Sequence, residues 1–289
     1  MSKLLAYRRR LRSIRHTQHI TKAMQILAGS RLSSLTKRLE SIRPYARELS
    51  RTVSRLAAMV PPFHPLLIER KKKKICLVII TSDRGLCGAF NHNVIRRALS
   101  FIEEEHKGEV PLLIIVGKRG WSYFRNREYV VQEKFLDIFR HLHRGQAEVI
   151  LKNTLPLYLA GEVDAVYLLF NSFRSMLVQP TVVERLLPLP RAKGVSLPGE
   201  YLFEPTLEST LPQLFLHYLE VELYRALVES LVAEQAARLV AMEEATRNAG
   251  EMIHNLTLTL NKLRQATITE ELVEVVSGAE ALRKIEGED

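Results

Sequence analysis

The chain has 289 residues, 46% of them hydrophobic, with a formal net charge of +10. No run of eighteen or more uncharged apolar residues occurs, which excludes a bilayer-spanning helix, and no apolar core follows the basic N-terminus as a signal peptide requires. The two cysteines, Cys76 and Cys87, stand without CxxC spacing or histidine partners, which argues against a zinc site and a secreted disulfide scaffold.

In chain order, the first element is a long helix. Leu32, Leu35, Leu39, Ile42, Ala46, Leu49, Val53, Leu56 and Val60 alternate at spacings of three and four, a coiled-coil seam. The same register reaches back through Ala28, Ile14, Leu11, Tyr7 and Leu4. It is interrupted by Gln18, Thr21 and Gln25, where Ile20, Met24 and Leu27 form a rival apolar stripe. A second apolar face implies a second partner. Pro61 and Pro62 are expected to stop the helix, and Pro44 to bend it.

Residues 70–200 change character. Ile75–Thr81, Leu112–Val116, Tyr129–Glu133 and Val163–Phe170 read as short strands, with helical patterns at Val94–Glu105, Arg119–Arg127 and Gln146–Leu159 between them. Alternation of this kind predicts a parallel, Rossmann-like α/β sheet. Ser175–Leu187 adds an edge strand bent at Pro180. The glycine-rich turn Ser82–Asn91 lacks both the GK[ST] ending and the full GxGxxG spacing, so it reads as tight strand-to-helix geometry rather than a phosphate cradle.

The last element, residues 207–286, is again a long seamed helix. Val221, Tyr224, Val228 and Leu231 lead into Met242, Ala245, Ala249, Met252, Leu256, Leu263 and Ala266. Ile268, Leu272, Val275, Ala279 and Leu282 extend the spacing almost to the end. Gln235 and Arg238 interrupt it, with no proline inside the helix after Pro212. Residues 1–60 carry fourteen Lys or Arg against two acids, whereas residues 200–289 carry seventeen acids against seven bases. The seam, at roughly 1.5–3 kcal/mol per buried side chain, is expected to hold the two helices together. Exposed ion pairs at about 0–1 kcal/mol do less, and the charge asymmetry chooses orientation. The expected architecture is therefore α/β: an antiparallel two-helix coiled coil of residues 1–60 and 207–286 flanking a Rossmann-like domain of residues 70–200.

Three segments then carry a family resemblance. HTQHITKAMQILAGSRL (His16–Leu32) resembles the N-terminal signature of F-type ATP synthase γ subunits, SDRGLCGAFN (Ser82–Asn91) resembles that family's glycine-rich loop, and Glu234–Leu282 is similar to its C-terminal signature. The resemblance implies a non-catalytic central stalk that couples proton or sodium flow through the membrane c ring to the α3β3 hexamer. It also implies α, β and ε subunits and the c ring as partners, no cofactor, no nucleic acid, and a peripheral position on the cytoplasmic face of the cell membrane. It places hexamer contacts at Lys22, Met24, Glu234, Gln235, Arg238, Arg264, Gln265, Thr269 and Glu271, and c-ring or ε contacts at Tyr201, Phe203 and Glu204. His16, His19, His254 and Asn255 depart from the family's usual residues, and the cysteine-bearing insertion of chloroplast members is absent, so no thiol switch is expected. Two rival readings remain at this stage. One is a nucleic-acid-binding basic coiled coil, the other a Rossmann-type nucleotide-binding enzyme.

Overall fold

A computed structural model describes residues 2–59, 64–70, 74–105, 111–192, 204 and 206–286. The chain is α/β. Helix α1 (Ser2–Met59) is followed by β1 (Ile75–Ile80), α2 (Phe90–Glu105), β2 (Leu112–Val116), α3 (Lys118–Phe124) and β3 (Val130–Phe135). A short 3-10 turn, α4 (Arg144–Leu159), β4 (Ala165–Asn171), β5 (Thr181–Leu187) and α5 (Leu207–Glu286) complete it. It divides into two compact units, one of residues 27–241 and one of residues 1–26 with 242–289.

In the larger unit the sheet order is β3-β2-β1-β4-β5, parallel throughout except for the antiparallel edge strand β5. Strand β1 is buried along its whole length, as a continuous apolar run covered on both faces must be. Its alternate side chains separate cleanly. Ile75, Leu77 and Ile79 pack with Val94, Ala98 and Phe101 of α2 and Phe124 of α3. Cys76, Val78 and Ile80 face α4 and the cluster formed with α1 and α5. Strand β5 begins at Thr181 rather than at Ser175, because Ser175–Val178 close a turn, with the Val178 amide donating to the Ser175 carbonyl at 3.3 Å.

The α1–α5 seam in this unit is built from Leu32, Leu39, Ala46, Leu49, Val53 and Leu56 against Leu211, Phe215, Leu219, Leu223 and neighbouring α5 residues. Its direction follows from cross-helix pairs. Tyr45 meets His217 at 2.7 Å, Arg38 bonds Tyr224, and Gly29 lies against Leu239, so one number falls as the other rises. The helices are antiparallel. Helix α5 starts five residues before Pro212, which therefore lies inside it near its first turns.

The smaller unit pairs the two helix ends in the same sense: Thr246 donates to the Thr21 hydroxyl at 2.8 Å, and Gln18 approaches Gly250. Of the polar residues at seam positions, Gln18 and Thr21 are therefore engaged within the seam. Thr21 is buried and donates to the Gln18 carbonyl, while the Gln18 amide reaches the Thr246 carbonyl. The rival stripe faces outward, with Ile20 47% and Leu27 62% exposed.

Two expectations for α5 are corrected here. Its seam beyond Met242 uses Thr246, Ala249, Ile253, Leu256, Leu260 and Leu263, whereas Met252 and Ala266 are exposed. Further on, Ile268, Leu272 and Val275 are 48%, 60% and 70% exposed despite their heptad spacing, and Ala279 is exposed too. The reason is geometric. Stepping outward from the Gln18–Gly250 contact, antiparallel pairing exhausts α1 near Leu263, and the rest of α5 has no partner helix among the described residues.

Charge plays little part in the pairing. Arg43–Glu229 at 3.0 Å is the one α1–α5 ion pair among the described residues, and Arg8, Arg9, Arg10, Arg12 and Arg15 are exposed. The seam carries the association.

Candidate functional site

A doubly wound sheet offers a ligand crevice where neighbouring parallel strands send their chains to opposite sides. Here that point lies at the carboxyl ends of β1 and β4. The loop after β1 starts at Thr81, which is wholly buried. The Thr81 hydroxyl donates to the Val116 carbonyl at 2.9 Å and accepts from the Gly120 amide at 2.9 Å. Gly117 sits over the same residue at φ 95°, where a Cβ would lie 2.2 Å from the Thr81 carbonyl oxygen. Only glycine fits there.

The loop itself is tied internally. The Ser82 amide donates to Asn91 Oδ1 at 2.9 Å, and Asn91 Nδ2 donates to the Ser82 hydroxyl at 2.8 Å. Asp83 Oδ1 accepts from the amides of Lys118, at the start of α3, and of Asp137, at 3.1 and 3.0 Å. A phosphate would seek such an amide; a carboxylate of the chain already holds it. The network fixes Leu86 at φ 62°, a costly conformation for a branched residue, with its side chain 62% exposed.

Helix α5 closes the crevice. Ala233 packs against Cys87 and Phe90, with Phe173 and Ala237 beside them. Ser172, just past β4, donates to Glu229 at 2.6 Å. Arg238 donates to the Gly85 carbonyl at 3.2 Å and to Glu234 at 2.6 Å. Glu234, Gln235 and Arg238 are 5%, 4% and 7% exposed. These residues are therefore not a solvated patch where the coil loosens: Arg238 ties itself and Glu234 to the glycine-rich loop, and Gln235 is buried with them. Burial raises the Glu234 carboxyl above its ordinary range, against the opposing pull of the Arg238 charge. Burial and then the Glu234 charge raise the Cys87 thiol, which is inert as a nucleophile in that state.

A second buried charge network lies nearby. Arg225 bonds Glu222 at 2.8 Å, Glu229 at 3.2 Å and Glu184. Burial opposes the Glu229 charge, but hydrogen bonds from Arg43 and Ser172 and the Arg225 charge overcome it and hold this carboxyl below the usual range. Burial raises Glu222. The sequence pattern gave no warning of this network, because Arg225, Glu222 and Glu229 sit at seam flanks where charge is ordinarily solvated and Glu184 lies on the edge strand β5.

The other predicted hexamer contacts lie in the smaller unit. Lys22 is exposed, with Nζ 3.3 Å from Gln25 Oε1, and Met24 is half-buried. Arg264, Gln265, Thr269 and Glu271 are all exposed on α5, with the Thr269 hydroxyl donating to the Gln265 carbonyl at 3.0 Å. Glu204 is exposed, its carbonyl accepting from Thr210, while Tyr201 and Phe203 lie outside the described residues. Among the described residues no cluster of three or more His, Cys, Asp or Glu could hold a metal ion, and no helix is long and apolar enough to cross a membrane.

Comparison with known proteins gives a consistent picture. Residues 3–282 match the family model described as ATP synthase. The ATP synthase gamma chain of Pelotomaculum thermopropionicum is 41% identical over 98% of this chain and 100% of its own length. That of Moorella thermoacetica is 40% identical at the same coverage. Among solved structures, a chain of the Tetrahymena thermophila mitochondrial ATP synthase central stalk and c ring aligns with TM-score 0.61 at 29% identity, covering 78% of this chain and 99% of that one. A chain of the Euglena gracilis mitochondrial ATP synthase aligns with TM-score 0.73 at 19% identity, covering 97% and 95%, a likeness of fold.

Proposed function

The chain belongs to the ATP synthase family, as a gamma chain of the F1Fo complex, and on that premise we propose that it is the rotating central shaft, without a catalytic site of its own. It would run at the centre of the α and β subunits, bind ε, and rest on the c ring at the cytoplasmic face of the membrane. The observation that carries this reading is the exposed apolar end of α5. Leu272, Val273, Val275 and Val276 are each more than half exposed on a stretch of helix with no partner among the described residues. Such a surface needs an apolar sleeve supplied by other subunits.

The hexamer contacts proposed at Lys22, Met24, Arg264, Gln265, Thr269 and Glu271 lie on the same two helix ends. Those at Glu234, Gln235 and Arg238 would act with the loop they hold, and Glu204, with Tyr201 and Phe203, would serve the foot. Shaft orientation then acts as a ligand that binds different catalytic conformations unequally, and only that difference can drive product release. The occupied crevice at β1 and β4 counts against the enzyme alternative.

Co-expression with the α and β subunits of the same genome is the test. Recovery of a complex whose ATPase activity requires this chain supports the reading. Assembly of α and β with this chain left unbound overturns it.

A further inference from the structure

One cavity of the larger unit has no part in the proposed shaft function. It has a volume of about 500 Å³ and is lined by α1, β5 and α5, within the size range of small-molecule sites. Five guanidinium groups line it, Arg43, Arg47, Arg51, Arg185 and Arg225, against three carboxylates, Glu184, Glu222 and Glu229.

The distribution within it is uneven. All three carboxylates are engaged by Arg225, and Glu229 by Arg43 as well, so the inner wall is internally paired. The outer wall is different. Among the described residues Arg51 and Arg185 are paired only with Glu48 and Glu69, which are 67% and 75% exposed. Arg47 is exposed and has no ion pair among the described residues.

Arg43, Arg47 and Arg51 also fall at i, i+4 and i+8, one row along α1. Like charges at that spacing destabilise a helix by roughly 0.2–0.5 kcal/mol per pair. Arg47 and Arg51, the two of this row on the outer wall, stand about 6 Å apart along the axis at ~1.5 Å per residue, a spread wider than one tetrahedral oxyanion needs. Guanidinium forks match phosphate oxygens in pairs, which an ammonium cannot do.

We propose that this cavity binds a phosphate-bearing anion of at least two phosphoryl groups, held by Arg47 and Arg51 of α1 with Arg185 of β5. The site is independent of the shaft reading, since it uses none of the proposed subunit contacts.

The test is calorimetric titration of the full chain with inorganic pyrophosphate at physiological ionic strength. Binding should weaken at least tenfold in Arg47→Ala, roughly the loss of one charge-assisted hydrogen bond, and less in Arg47→Lys, which keeps the charge without the fork. Arg9→Ala with Arg12→Ala removes more charge elsewhere and should leave binding unchanged. Equal weakening by both sets would mean diffuse attraction to a basic chain and would overturn the proposal, as would no binding at all. Binding of vesicles containing a phosphatidylinositol bisphosphate, competed by pyrophosphate and lost in Arg47→Ala, supports it with a lipid headgroup as the source. Binding of polyglutamate that pyrophosphate cannot displace points to an acidic protein segment and overturns it.

Discussion

Arg238 closes on Glu234 at 2.6 Å while donating to the carbonyl of Gly85, 153 residues earlier in the chain. One guanidinium thus joins a helix turn to the loop after the first strand, with both charged partners less than a tenth exposed. Truncating one member of such a pair leaves the other buried and uncompensated, which costs about 3–5 kcal/mol. Arg238→Ala should lower the thermal midpoint clearly. Arg238→Met combined with Glu234→Leu should recover most of the loss, and differential scanning calorimetry of the three chains checks it.

Gln265→Ala separates contact from stability. Its side chain is exposed, and surface substitutions usually stay within about 0.5 kcal/mol. Its midpoint should match wild type while ATP turnover of the assembled complex falls. Unchanged turnover would remove Gln265 from the hexamer contacts.

The end of α5 makes a similar division. Leu272→Ser with Val275→Ser alters two side chains already 60% and 70% exposed. The isolated chain should keep its stability and gain solubility, whereas recovery with α and β should drop. Pull-down yield at fixed α and β concentration measures the drop, and equal yield would contradict the sleeve.

Gly117 makes the closest approach of any described glycine. A methyl group at φ 95°, 2.2 Å from the Thr81 carbonyl oxygen, requires the β2–α3 turn to move. Gly117→Ala should destabilise by more than about 2 kcal/mol. Gly278→Ala, with nothing within 4 Å of the added carbon, is the matched control and should be neutral or slightly stabilising.

Acid stability should report on Glu229. Its folded carboxyl is held below its ordinary range, so the unfolded chain binds the proton first. The contribution is therefore present above the unfolded value near 4.5 and is lost as pH falls through the lower folded one. Glu229→Gln should flatten this part of the acid limb in urea melts taken between neutral pH and about pH 3. An unchanged slope would assign the limb to other carboxylates.

Much of the fold was legible because it is periodic. The α1 seam from Leu32 to Leu56, and the apolar runs of β1, β2 and β4, follow from spacing alone. On α5 the spacing was ambiguous. Met242, Ala249, Leu256 and Leu263 fit two registers that differ by one residue between them, and Ile253 and Leu260 decide it in favour of Thr246 over Ala245. Beyond Leu263 the pattern persists without its partner, since periodicity marks a face and not what covers it. Gln235 and Arg238 were visible as interruptions of the seam, yet a polar interruption reads the same whether it faces water, another subunit or a loop of its own chain. The burial of Arg225 with Glu222, Glu229 and Glu184 was hidden for a related reason: the two helix partners stand at ordinary i, i+3 and i, i+4 spacings that read as solvated pairs, and Glu184 joins them only because β5 folds back beside α5, a non-local event no window of sequence contains.

By lodging Ala233 and Arg238 in the notch above β1, α5 uses up the place where related folds admit a cofactor. A helix seated this way cannot turn about its own axis without shearing the loop and dragging the strands along. Torsion applied to that stretch is thus handed to the sheet as rigid rotation instead of being lost as slip.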